Sequence, residues 1–272
     1  MTVKIFIATH KKYRMPDDEI YIPLHVGAEG KTDANGNPLD LGFIKDNTGD
    51  NISYLNPGFC ELTGLYWAWK NAKADYIGLA HYRRHFSAKI KPSDDMFESV
   101  LTGEQINKFI PEIKVFVPAK RKYYIETLYS HYAHTHYSNQ LDEAEKILIE
   151  MYPEFWLSYR RIRKRYYGYM FNMMIMQYDL FNEYCEWLFP ILFELNKRVD
   201  ARGLSDYQAR FYGRVSEIMF NVWLDYMVEI GRIKKSEIME LNYIHMEKTN
   251  WMKKGSAFLE AKFLKKKYEG SF

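Results

Sequence analysis

The densest run of chemistry-bearing side chains is His81-Tyr82-Arg83-Arg84-His85. It directly follows an apolar stretch, residues 76–80, that reads as a buried strand. Two Arg and two His at a strand end are costly unless they face solvent or an anion. A guanidinium is a planar, permanently charged fork that matches phosphate oxygens. The run therefore suits either a diphosphate-binding corner or a solvated basic turn. A second cluster, Thr9-His10-Lys11-Lys12, closes the apolar run VKIFIA at residues 3–8. Ligands of open α/β sheets gather at the carboxyl ends of strands. That makes His10 and Lys11 site candidates, with a solvated loop as the alternative.

Residues 205–230 carry the clearest helical period. Phe211, Val215, Ile218, Met219, Val222 and Tyr226 recur at three- and four-residue steps and form one apolar stripe. Asp206, Arg210, Glu217 and Asn221 fall on the opposite side. On one continuous helix Asp206 and Glu217 share an azimuth but lie about 16 Å apart, so they cannot both touch one reacting atom. Ser205 and Gln208 fit a capping box, which puts Asp206 in the first turn. This face reads either as solvated, with an Asp206–Arg210 pair, or as a cleft wall carrying a general base. His131 and His134 are helical neighbours, whereas His136 points away. With no Cys or paired carboxylate at ligand spacing, a zinc site is not expected.

These residues need elements to hold them. Residues 3–8 and 76–80 are expected as buried strands, 112–118 as a strand stopped by Pro118, and 168–178 as an apolar run of strand length. Residues 20–26 form a strand that Pro23 confines to an edge. A helix is expected from Asn56 as N-cap and Pro57 as first residue through the run ending at Ala72. Its Trp67 and Trp69 cannot share a face. Residues 123–150 read as helical, 154–166 as helical or irregular, and 180–199 as a helix broken near Pro190. The Gly-, Asp- and Asn-rich stretch 27–51 is a long loop. The chain reads as one mixed α/β domain over 1–247, with a helical C-terminal half and a basic aromatic tail at 248–272.

Composition narrows the classes. The chain has 272 residues, 47% hydrophobic and 27% charged, which is globular. Its 17% aromatic content supplies stacking platforms as well as core. Two cysteines, Cys60 and Cys185, exclude a disulfide framework and favour a reducing compartment. No stretch has the roughly 18 apolar residues of a membrane span, and the first residues lack the pattern of a signal peptide. The net charge of +3 is uneven. The tail holds seven Lys against Glu260 and Glu269, which leaves the body slightly acidic and argues against nucleic acid. Walker, GxGxxG and GxSxG motifs are missing, and no Asp-x-Asp ends a strand.

The segments DNISYLNPGFCELTGLYWAWKN, ADYIGLAHYRRHF, LYSHYAHTHYSNQLDEAEKIL, EYCEWLFPILFELNKR and DYQARFYGRVSEIMFNVWL resemble a bacterial family of capsular and exopolysaccharide glycosyltransferases, long catalogued as a domain of unknown function. The resemblance implies a GT-A-like, Rossmann-related mixed sheet flanked by helices. It also implies transfer of galactose or galactofuranose from a UDP-sugar to an oligosaccharide or lipid-linked acceptor. His81-Tyr82-Arg83 stands where GT-A enzymes generally carry Asp-x-Asp, so side-chain cations are expected in place of a metal, and no cofactor is expected. On this footing Thr9, His10, Asp50 and Asn51 are expected to take the uridine. His81, Tyr82, Arg83 and Arg84 take the diphosphate, and His131, His134 and Asn172 the acceptor. Glu217 or Asp206 is the base of an inverting displacement. A cytoplasmic location is implied, and the tail suits either contact with the anionic inner membrane surface or simple solubilisation. The competing expectations are a non-catalytic glycan- or nucleotide-binding protein and a metal-dependent transferase.

Overall fold

The computed structural model describes residues 1–89, 93–247 and 270. The tail expectation therefore lies outside the described residues, Gly270 apart. The strands, in chain order, are β1 (Val3–Thr9), β2 (Tyr21–His25), β3 (Ile44–Lys45), β4 (Tyr76–His81), β5 (Arg84–Ser87), β6 (Val115–Pro118), β7 (Arg121–Lys122), β8 (Tyr167–Gly168), β9 (Met174–Gln177) and β10 (Ile238–His245). The helices are α1 (Asn56–Phe59), α2 (Leu62–Asn71), α3 (Gly103–Asn107), α4 (Leu128–Thr135), α5 (Asn139–Met151), α6 (Trp156–Ile162), α7 (Tyr178–Arg198) and α8 (Phe211–Glu229). By internal packing the described chain forms two compact units. One comprises Met1–Ala119, Asn172–Cys185 and Ile233–Glu247; the other comprises Lys120–Phe171 and Glu186–Arg232.

The first unit is built on the mixed sheet. β1 pairs in parallel with β2 on one side and β4 on the other. β4 continues antiparallel to β9, with Leu79 opposite Met174, and β9 is antiparallel to β6. β6 runs parallel to β10, and β10 is antiparallel to β5, which returns to β4 at Arg84 opposite His81. Every residue of β1 except Lys4 is buried, the near-continuous apolar character of a strand covered on both faces. Helix α2 packs on β1 and β4. The expectation of a mixed sheet flanked by helices holds. Pro23 also behaves as its missing N–H requires. β3 joins β2 only at Leu24 and His25, so Pro23 faces the open side.

The second unit is dominated by helices α4, α5, α6, α8 and the later part of α7. Phe155 anchors its core, with its ring 4.8 Å from Trp187 and 4.0 Å from Tyr226. The ribbon β7–β8 completes it. No helix among the described residues is long and apolar enough to cross a membrane.

Five element expectations are corrected, the first being 123–150, which is two helices, α4 and α5, parted where His136 turns extended. The helix expected over 56–72 is two, because Cys60 takes a left-handed φ of 50° between α1 and α2, and Leu55, not Asn56, is the N-cap. The run 168–178 is broken by Phe171 and Asn172, at φ 77° and 50°. Pro190 lies inside an unbroken α7. The bond it removes is to the carbonyl of Glu186, and Trp187, Leu188, Phe189, Ile191 and Leu192 around it are buried, so packing holds the helix through the gap. The helix expected from 205 starts only at Phe211, after a short 3-10 turn at Gln208–Arg210. The backbone N–H of Gln208 does bond to Ser205 Oγ at 3.3 Å.

Candidate functional site

In the first unit, sequential strands lie on opposite sides of β1, which makes the carboxyl ends of β1 and β4 a topological switch point where ligands bind. Tyr82 is the pivot there. Its backbone N–H donates to Ala8 O at 3.2 Å, fastening the turn after β4 to the end of β1. Its buried ring meets His10 edge-on at 5.3 Å and Tyr13 at 5.2 Å. The Lys11 ammonium lies 5.2 Å and the Arg83 guanidinium 5.1 Å from the ring centre. Burial pushes the Tyr82 phenol up, which keeps it protonated and able to donate. Lys11 and Arg83 converge on one carboxylate, Glu247, at 3.7 and 3.3 Å, and all three side chains are about half-exposed. Thr9 is buried, and its hydroxyl donates to Lys11 O at 2.7 Å, shaping the turn that presents Lys11.

The rim beside this corner is held by a carboxylate that sequence reasoning missed. Asp46 is fully buried and accepts from Gly27 N (2.8 Å), Ala28 N (3.0 Å), Ser53 Oγ (2.5 Å) and Thr63 Oγ1 (2.6 Å). Gly27 sits at φ 66°, and a Cβ there would run into the Asn56 side chain. Its N–H reaches Asp46 because only glycine fits. His25, opposite Thr9 in the strand register, was also missed. It is buried, its Nδ1 meets no hydrogen-bond partner among the described residues, and burial lowers its pKa against the pull of Asp46. The signal was present as a lone His closing the run IYIPLH.

The structure does not bring Asp50 and Asn51 to Thr9 and His10. The loop after Asp46 descends along one face of α2. Thr63 holds Asp46, Trp67 Nε1 donates to Thr48 O at 2.9 Å, and Asn71 Nδ2 donates to Asp50 O at 2.9 Å. Those helix positions are four apart, so Asp50 lies two turns, about 12 Å, below Asp46, toward the opposite end of the strands. Asn51 caps the turn at Ser53 N. Asn172, by contrast, lies at the carboxyl end of β4. It lies just before the start of β9, which pairs with the carboxyl end of β4, and its Nδ2 donates to Glu61 Oε1 at 2.6 Å beside the first turn of α2. Arg84 opens β5 opposite His81. His85 is core, against the Tyr21 and Phe97 rings, and burial lowers it to about 4.

In the second unit His131 and His134 stand together as expected, around a partner not anticipated. Their Nδ1 atoms lie 2.9 and 2.6 Å from the two oxygens of the buried Glu126. Burial takes His131 down to about 4 despite that carboxylate. His136 turns away to Gln208 Oε1 at 3.0 Å. Glu217 is half-buried and accepts the backbone N–H of left-handed Phe171 at 2.7 Å. Asp206 is exposed in the turn before α8, so it shares no helix with Glu217 and the expected common azimuth is lost.

Residues 4–228 match the sequence pattern of a protein family described as Domain of unknown function (DUF4422). The chain belongs to that family. Among curated proteins none matches. A solved structure described as "WbbM bifunctional glycosytransferase apo structure" is similar, with a TM-score of 0.82 and 30% sequence identity, over 92% of this chain and 46% of that one. The chain thus spans less than half the length of the solved chain it resembles.

Proposed function

We propose that this chain is a glycosyltransferase that moves a hexose, galactose or galactofuranose, from a UDP-sugar to a hydroxyl of a capsular or exopolysaccharide acceptor. The observation that carries this reading is the Lys11–Tyr82–Arg83 corner at the β1/β4 switch point. Two cations flank a buried phenol there, a set suited to a diphosphate. Support also comes from the likeness to a bifunctional glycosyltransferase, of which this chain would carry one activity. The one carboxylate at the corner, Glu247, is engaged by both Lys11 and Arg83, so the charges offered to a ligand there are cationic and favour direct side-chain contact with the diphosphate over a divalent ion. Among the described residues no group of three or more His, Cys, Asp or Glu is gathered to hold one.

In the proposed step the acceptor oxygen attacks the anomeric carbon and loses its proton to a base. The bond from that carbon to the diphosphate breaks, and UDP leaves with its new charge on Lys11 and Arg83. The displacement is inverting and the base is Glu217, with Asp206 as the alternative. Calorimetric titration with UDP tests the donor site. Lys11→Ser and Arg83→Ser should each raise Kd about tenfold, the lower end for a charge-assisted bond at half-exposed groups. Unchanged Kd in both removes the corner from the donor site. Turnover of a UDP-hexose should survive EDTA and fall at least a hundredfold in Glu217→Gln. Full activity of that variant moves the base to Asp206, and loss in EDTA establishes a metal-dependent enzyme.

A further inference from the structure

The second unit contains two runs of the same design. Residues 120–125 read KRKYYI and residues 163–168 read RKRYYG, each three basic residues followed by two tyrosines. The fold pairs them. Arg121 lies opposite Gly168 and Lys122 opposite Tyr167 in the β7–β8 ribbon, and Tyr123 N–H donates to Tyr166 O at 2.8 Å. Antiparallel pairing of like runs sets the tyrosines of one beside the cations of the other. Lys120 of the first run lies 5.5 Å over the Tyr167 ring of the second, and Arg165 of Tyr167's own run lies 5.9 Å from the same ring.

The apolar groups at this ribbon are turned to solvent. Tyr124 is 80% exposed, Ile125 66% and Tyr166 51%. Tyr124 holds a left-handed φ of 56°, a backbone state that a bulky side chain enters only under constraint. Single exposed apolar residues are ordinary. A strained tip carrying Tyr and Ile side by side, flanked by Lys and Arg, is not. Lys122 and Lys164 are exposed and have no ion pair among the described residues.

We propose that the β7–β8 ribbon docks on an anionic lipid bilayer. A bilayer supplies both complements in one surface. Phosphates meet the cations, and the acyl boundary beneath receives Ile125 and the tyrosine rings, whose hydroxyls stay at the headgroups. A glycan platform fits less well. A sugar stacks on a flat ring, which Ile125 does not offer, and a neutral sugar gives the lysines no counter-charge.

The test is vesicle flotation of the full chain, with the seven tail lysines intact in every variant so that their contribution is constant. Phosphatidylglycerol-containing vesicles should retain the protein and pure phosphatidylcholine vesicles should not, with weaker retention in high salt. Lys122→Ser/Lys164→Ser should lower partitioning about 30-fold, from about 1 kcal/mol per cation near the surface. Tyr124→Ser/Ile125→Ser should lower it at least tenfold, with melting temperatures unchanged because these positions are exposed. Unchanged partitioning of both variants overturns the proposal and assigns any retention to another part of the chain. Binding of a neutral oligosaccharide that Tyr124→Ser/Ile125→Ser abolishes, with vesicle retention intact, overturns it in favour of a glycan platform.

Discussion

Glu247 rests between Lys11 and Arg83, where the proposed diphosphate must come. At half exposure each contact is worth little, about 1 kcal/mol or less. The carboxylate is therefore a displaceable counter-ion whose removal leaves two cations for the ligand. Glu247→Gln should tighten UDP binding several-fold at low salt, with the gain shrinking as salt rises. A titration with unchanged Kd would separate Glu247 from the anion site. Asp46 is the opposite case, buried and with four donors. Asp46→Asn turns one acceptor into a donor facing donors, and should cost roughly 3 kcal/mol in urea unfolding. Wild-type stability in that variant would show that the rim is held by other contacts. Thr9, His10, Tyr82 and Arg83 were legible because each closes an apolar run. Glu247 was not, since its partner Arg83 lies 164 positions away. Nor was Asp46, because an aspartate in a Gly- and Asn-rich loop looks solvated until the loop folds over it.

Elements tell the same story through their ends. The strands were readable because apolar β-branched runs have few other uses. Breaks were not, because they depend on tertiary contacts. Cys60 and Phe171 take left-handed conformations that nothing local announces, and Pro190 is tolerated because its helix is packed on both sides of it. Element β5 carries a testable consequence. His85 reads in the sequence as part of a basic cluster, yet it lies in the core, where burial lowers it to about 4. The unfolded chain takes up this proton near the ordinary value of 6.5, before the folded chain does. Stability from the neutral ring is therefore complete above pH 6.5 and is lost progressively as pH falls toward 4. His131, also at about 4, adds a second loss of the same sign. Each should cost roughly 2 kcal/mol by pH 5. His85→Phe, whatever its stability at pH 8, should reduce the slope of unfolding free energy against pH between 6.5 and 4 by up to about 1.4 kcal/mol per pH unit. An unaltered slope would place the acid sensitivity elsewhere.

At the scale of the molecule, the order of the chain does not follow the order of its units. The chain passes between them after residues 119, 171, 185 and 232, so each unit is assembled from separated segments. Sequence order suggested strands early and helices late, which is true of composition but hides that β9 and β10 return to the first sheet. Their absence should be decisive for a fragment of residues 1–119. β6 is bordered by β9 and β10, so the fragment would leave it without a neighbour. β4 would keep β1 but lose β9 along its other edge from Tyr76 to Leu79, and β5 would keep a single paired residue on β4. Val115, Phe116 and Val117 are fully buried in the intact protein, and exposing each would cost about 2 kcal/mol. A domain's net stability is only about 5–15 kcal/mol. Three exposed side chains and the unpaired strand edges would consume most of it. The fragment should therefore give no cooperative thermal transition by circular dichroism and poor amide dispersion by NMR, while the full chain melts sharply. A sharp transition in the fragment would mean that β1 to β4 with α2 suffice for a stable core, and that the returning strands complete the carboxyl-end corner rather than hold the sheet together.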